Sequence, residues 1–134
     1  MRQVTDGYFV SPQISIEDLP SIAAAGVTTI INNRPDAEIP PSHQTAAMDA
    51  AAKAAGLEIV HLPITHQTMT PDNIERHNAV VADAEGSVLA YCASGTRSTI
   101  IWALGQAGKS SPDEILAACR AAGYDLEGIR SALG

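Results

Sequence analysis

SVLAYCASGTRS, residues 87–98, contains the boundary from which the rest of the chain can be read. Ser87 to Tyr91 is a short apolar run with the character of a buried strand. It stops at Cys92, and Gly95, Arg97 and Ser98 follow within six residues. From Ser98 to Ala107 the sequence is apolar and helical in character. A thiol is therefore expected at a strand end, just before a helix start. Loop N–H groups and the positive end of the helix dipole favour negative charge there. A cysteine so placed is expected to have a lowered pKa and to be a thiolate near neutral pH. Gly95 permits a positive φ in the tight turn. Arg97 brings a planar, permanently charged fork suited to oxyanions, and the Ser98 hydroxyl is expected to hydrogen-bond the sulfur. Together these residues describe a nucleophile in an anion cradle.

Outward from this loop, strand and helix signals alternate. Tyr8 to Val10 reads as a short strand. Ser15, with Asp18 three residues on, opens a helix that Gly26 ends. VTTIIN (27–32) is a β-branched strand, and Asn33 to Pro41 is a loop carrying Arg34, Asp36 and Glu38. Ser42 is expected to cap a helix running through Ala55. LEIVHL (57–62) is the next strand. Thr70 and Pro71 begin another helix after the loop Pro63–Thr70. SSPDEILAACRAAG opens with a cap, a proline and acids and closes at Gly123, and DLEGIRSALG is a last short helix. The order predicts an α/β fold with a mainly parallel sheet. In such sheets ligands bind beyond the carboxyl ends of the strands. Three loops qualify: Asn32–Pro40, Pro63–Thr70 and Cys92–Ser98. Asn32 and Asn33 are expected to fix the backbone of the first.

The bulk properties restrict the function. The 134 residues correspond to one domain, 1–134, and 46% hydrophobic residues supply its core. No apolar run is long enough to span a bilayer, and MRQVTDGYFV lacks the order of a secretory signal, so the cytoplasm is the expected location. A net charge of −7 argues against nucleic acid or an anionic membrane as partner, but leaves a small anion possible at a local site. Cys92 and Cys119 form no disulfide framework. Cys119, among alanines in a helix, reads as core, as do Ile101 and Trp102. Four scattered histidines give no metal-ligand spacing, and no cofactor is implied. His43 and His77 read as surface helix positions. Tyr8 and Tyr91 are candidates for strand core or for a pocket wall.

YCASGTRS resembles the nucleophile loop of the cysteine-dependent phosphatases, whose pattern is Cys, five residues, Arg, then Ser or Thr. VSPQISIEDLPSIAAAGVTTIINNRPDAE, EIVHLPI and VLAYCASGTRS resemble, in this order, the bacterial phosphatase-like domain found at the N-terminus of β-lactamase-hydrolase-like proteins. The resemblance covers nearly the whole chain; NNRPDAE and CASGTRS are its most specific parts. It implies a cysteine-phosphatase-like three-layer α/β fold. Cys92 would then be the nucleophile. Arg97 and the N–H groups of Ala93, Ser94, Gly95, Thr96 and Arg97 would hold the transferring group, and Ser98 would support the departing thiolate. Arg34 is a candidate second cation, or else ties Asp36 and Glu38 into a rigid loop.

This sequence departs from that pattern in three places. Only four residues separate Cys92 from Arg97. That spacing resembles the sulfurtransferase loop Cys-x-x-Gly-x-Arg, in which the cysteine carries a sulfane sulfur as a persulfide. Tyr91 stands where phosphatases often have histidine. The loop HLPITHQTMTPDN lacks the aspartate that would protonate a leaving oxygen, leaving His66, or Asp36 from the first loop, as candidate acids. Asp36 has an alternative reading as an ion-pair partner of Arg34 or Arg97, and Asp72 reads as a helix N-terminal acid. The substrate is expected to be a small anionic, phosphorylated or sulfane compound. Phosphatase-like hydrolysis is the leading expectation, sulfur transfer the alternative, and an inactive anion-binding module a lesser one.

Overall fold

The computed structural model describes residues 1–38 and 45–134. Its centre is a five-stranded sheet of β1 (Arg2–Thr5), β2 (Tyr8–Ser11), β3 (Val27–Asn32), β4 (Glu58–His61) and β5 (Ser87–Tyr91), in the order β1-β2-β5-β3-β4. β2, β5, β3 and β4 run parallel, and β1 pairs antiparallel with β2 at one edge. The parallel core follows from the intervening helices, which carry the chain back across the sheet before each new strand. These are α1 (Leu19–Ala24), α2 (Thr45–Ala54) and α3 (Pro71–Asp83); α4 (Thr96–Gln106) and α5 (Pro112–Ala121) follow β5. A 3-10 segment, Glu127–Ala132, follows α5 near the C-terminus.

Period-two alternation divides the core. In β5, Leu89 and Tyr91 face one side with Leu19 and Ile22 of α1 and Met48 and Ala52 of α2. Val88 and Ala90 face the other, with Ile101 and Trp102 of α4 and Ile115, Leu116 and Cys119 of α5. Burial pushes the Cys119 thiol up to about 11, consistent with its place in the core. The cap signals at Ser15 and Thr70 hold. The Ser15 N–H and hydroxyl both reach Asp18, and Thr70 accepts from Asn73 N–H ahead of α3.

The structure corrects three expectations. β1 carries little strand signal, because only Val4 is buried along Arg2–Thr5. Its cue is the dipeptide Asp6-Gly7, with Gly7 at φ 76°, a hairpin turn that lays β1 against β2. α4 begins at Thr96 rather than Ser98, because Gly95 is the N-cap, at φ 90°. The last short helix takes the 3-10 form. Ser42 and His43 lie outside the described residues.

The third correction is His77, which is fully buried rather than at the surface. Its Nε2 shares a hydrogen bond of 2.8 Å with the buried Tyr8 hydroxyl, and Tyr8 also donates to the Ser98 carbonyl at 3.1 Å. A phenol sealed in the core requires polar partners, and the face of α3 turned to α4 supplies one. Burial lowers the His77 pKa from 6.5 to about 4. The unfolded chain therefore binds a proton that the folded one refuses. Stability should be complete above pH 6.5 and fall by about 3 kcal/mol as pH drops towards 4. Urea denaturation across this range should show that slope in the natural protein and a shallower one in His77→Gln.

Candidate active site

β3, β4 and β5 all end at the same edge of the sheet, so the three loops identified in the sequence converge there. Cys92 directly follows β5. Its N–H is held by the Ser11 carbonyl at 3.4 Å, and its Sγ accepts the Gly95 N–H at 3.1 Å. A cradle of N–H groups requires the carbonyls of the same loop to turn outward. Here the Ala93 carbonyl accepts from Gln13 N–H at 3.3 Å. The Ser94 carbonyl accepts from the Tyr124 hydroxyl at 3.0 Å, and the Gly95 carbonyl from Thr99 Oγ1 at 2.7 Å. Gly95 must be glycine for two reasons: its positive φ, and a Cβ that would run into the Tyr124 hydroxyl. Thr96 N–H is directed to Ser94 Oγ at 3.4 Å rather than to the sulfur.

Arg97 lies in the first turn of α4 with its side chain 12% exposed. Its Nη1 donates to Glu38 Oε2 and to the Ile64 carbonyl, both at 3.0 Å, and its Nη2 donates to Glu38 Oε1 at 2.8 Å. The hydrogen bond to Glu38 is the main cause raising the already high Arg97 pKa further, and Cys92 adds to it. The same bond holds the Glu38 carboxyl below the usual carboxylate range. Arg34 completes the group, with Nε 3.4 Å from Glu38 Oε1, Nη2 donating to the Glu38 carbonyl and Nη1 donating to Gln13 Oε1.

Several residues depart from their expected places. The Ser98 hydroxyl donates to Asn33 Oδ1 at 2.8 Å, so its one proton goes to Asn33 and not to the sulfur. The carboxylate on Arg97 and Arg34 is Glu38, two residues beyond Asp36, whose side chain is exposed. His66 is exposed on a turn closed by Thr65 N–H donating to Thr68 Oγ1, and no hydrogen bond or ion pair joins it to Cys92 or Arg97. Tyr91 is strand core, its ring packed towards α1 and α2. Cys92 itself is completely buried, so a reacting group reaches it only if neighbouring side chains move.

The structure adds residues to those expected from the sequence. Tyr124, from beyond α5, tethers the loop, with Arg2 stacked on its ring 5.8 Å from the centroid. His61, at the end of β4, bonds Asp49 at 2.7 Å and lies 3.3 Å from Asn32 Nδ2. It lines a cleft of about 200 Å³ with Asn32, Arg34, Pro35, Asp36 and Pro63. The cue for His61 was its place at a strand end in LEIVHL; Tyr124 had no local cue.

A parallel α/β sheet with a cysteine loop capped by arginine at its carboxyl edge defines the class of the phosphatase-like α/β proteins. The family described as "Beta-lactamase hydrolase-like protein, phosphatase-like domain" matches residues 1–109, and the chain belongs to it. The β-lactamase hydrolase-like protein of Xylella fastidiosa (strain Temecula1) is 36% identical over 119 residues, covering 87% of this chain and 28% of that protein. The Agrobacterium fabrum protein of the same description is 33% identical over 126 residues, covering 92% and 29%. The chain thus spans less than a third of the length of these relatives. Among solved structures, a candidate phosphatase from Neisseria meningitidis superposes with a TM-score of 0.87 at 33% identity, covering 98% of this chain and 94% of that one. PTPMT1, at 16% identity and a TM-score of 0.76 over 98% and 90% of the two chains, shares the fold.

The buried Asn33 joins the ends of this edge. Besides accepting from Ser98, its Nδ2 donates to the Leu62 carbonyl at 3.0 Å. Asn33→Ala should cost about 2–4 kcal/mol, since it leaves both partners buried and unpaired. Ser98→Ala should cost less. The double variant should fall short of the sum by about 1 kcal/mol or more in urea denaturation; strict additivity would mean that the bond contributes nothing.

Proposed function

We propose that this domain is a cysteine-dependent hydrolase of the phosphatase type. The observation carrying the reading is the Cys92 sulfur bonded by the Gly95 N–H, within electrostatic reach of the Arg97 guanidinium. In this reading the Sγ lone pair forms a bond to phosphorus as the P–O bond to the leaving group breaks. Water then attacks the phosphocysteine and returns the electron pair to sulfur. Loop N–H groups and Arg97 hold the equatorial oxygens, and positioning plus charge stabilisation supply most of the rate. Support comes from family membership and from the Neisseria relative. Without an aspartate on the second loop, the reaction suits leaving groups that need little protonation, or uses His66 once it moves.

Specific observations favour a second reading, sulfur transfer. The loop has four residues between Cys92 and Arg97. The carboxylate on Arg97 is Glu38, which the ion pair keeps deprotonated and so unable to act as an acid. In sulfur transfer from thiosulfate, the Cys92 thiolate attacks the outer sulfur and the S–S bond breaks. Sulfite leaves with the electron pair, and Cys92 remains as a persulfide for an acceptor thiol. No proton donor is required.

The test is to incubate the protein with an aryl phosphate and, separately, with thiosulfate, measuring phosphate release and intact mass. The phosphatase reading expects release that falls at least about 1,000-fold in Cys92→Ser and about 100-fold in Arg97→Lys. A gain of one sulfur at Cys92 without phosphate turnover would replace it with the second reading. Neither product would leave an anion-binding role.

A further inference from the structure

The N–H that meets Cys92 Sγ and the carbonyl that meets the Tyr124 hydroxyl are the two ends of one peptide unit, Ser94–Gly95. This unit is trans. A trans peptide is planar, with its N–H and C=O pointing in opposite directions. Drawing the carbonyl out to Tyr124 at 3.0 Å therefore turns the N–H in to the sulfur at 3.1 Å. The units on either side are held by other groups. The Ala93 carbonyl accepts from Gln13 N–H, and the Gly95 carbonyl accepts from the N–H and the hydroxyl of Thr99. Among the described residues, the Tyr124 hydroxyl is the one protein donor to the Ser94 carbonyl.

Glycine makes this plane easy to turn over. Half a turn carries the Gly95 φ from 90° to about −90°, and glycine accepts both signs. Turned over, the unit would present its carbonyl to the sulfur. An N–H supports negative charge on sulfur, and a carbonyl opposes it. Tyr124 is itself fixed. Its N–H donates to the Cys119 carbonyl at 2.9 Å, closing the end of α5, and Arg2 lies over its ring. Its hydroxyl sits so close to the loop backbone that a Cβ on Gly95 would run into it.

We infer that Tyr124 is a positioning residue for the nucleophile: its hydroxyl holds the Ser94–Gly95 peptide in the orientation that presents an N–H, not a carbonyl, to Cys92. The inference rests on the proposed reading of Cys92 as nucleophile. It applies to phosphoryl and sulfur transfer alike, since both need a charged sulfur. It extends the site to the corner after α5, 30 residues along the chain from the carbonyl it holds.

The test is the Gly95 amide resonance in NMR spectra of the whole chain, which does not depend on turnover. The change from the natural protein to Cys92→Ala gives the sulfur's contribution to that resonance. The same difference is then measured in a Tyr124→Phe background, so the direct effect of removing the hydroxyl cancels. Phenylalanine keeps the ring and its stack with Arg2, and resonances outside the loop report that the fold is retained. One hydrogen bond shifts a two-state equilibrium about two- to twelvefold, so the sulfur's contribution should fall by about a quarter or more in that background. Arg2→Gln, which keeps the hydroxyl and removes only the guanidinium over the ring, should lower it less. An unchanged contribution in Tyr124→Phe, or an equal loss in Arg2→Gln, would overturn the inference. If Cys92→Ala leaves the Gly95 resonance of the natural protein unmoved, the Gly95–Cys92 bond is absent in solution. The nucleophile reading then loses its carrying observation and the inference falls with it, a result distinct from a bond that forms but ignores Tyr124.

Discussion

The geometry of the sheet's carboxyl edge depends on one buried amide side chain. Asn33 has no exposed surface, and its hydrogen-bonding groups are all engaged. Its N–H reaches the Tyr91 carbonyl, its carbonyl accepts from Ile64 N–H, its Nδ2 donates to Leu62, and its Oδ1 accepts from Ser98. These partners belong to the end of β5, the segment after β4 and the first turn of α4. Strand pairing cannot fix loops beyond the last ladder bond. A residue with two side-chain functions in opposite roles can, and a buried amide left unpaired is costly enough to enforce the arrangement. The placement of Cys92 relative to Arg97 follows from this junction.

Around it, the loop is organised from outside. Carbonyls of Ala93, Ser94 and Gly95 are drawn away by Gln13, Tyr124 and Thr99, and the Ser98 carbonyl by Tyr8. Four separate elements thus hold a short loop in a conformation that would otherwise present acceptors to an anion. This is preorganisation in the electrostatic sense: the dipoles are oriented before a ligand arrives.

Much of this was legible in the sequence. The strands 27–32 and 87–91 are read at their observed bounds, because β-branched and apolar runs ending at Asn and Cys leave little freedom of assignment. The cysteine, glycine and arginine of the loop are read from their mutual spacing. Sequence distance hides what depends on contact between remote segments. His77 looked like a surface position because its partner, Tyr8, is 69 residues away. Glu38 and Asp36 are both acids on one loop, and only the path of the 3-10 turn Asp36–Glu38 decides which meets Arg97. Ser98 kept its expected place but bonds Asn33 instead of sulfur, a choice set by tertiary packing.

The stacking of Arg2 on Tyr124 has a wider meaning. Arg2 also donates to the Ala122 carbonyl, and Tyr124 holds the Ser94 carbonyl, so Arg2 lies two contacts from the cysteine loop. The edge strand β1, which contributes little to the core, thereby bears on the conformation of the cysteine loop. A change at Arg2 would be felt at the cysteine loop through Tyr124, although Arg2 itself is exposed.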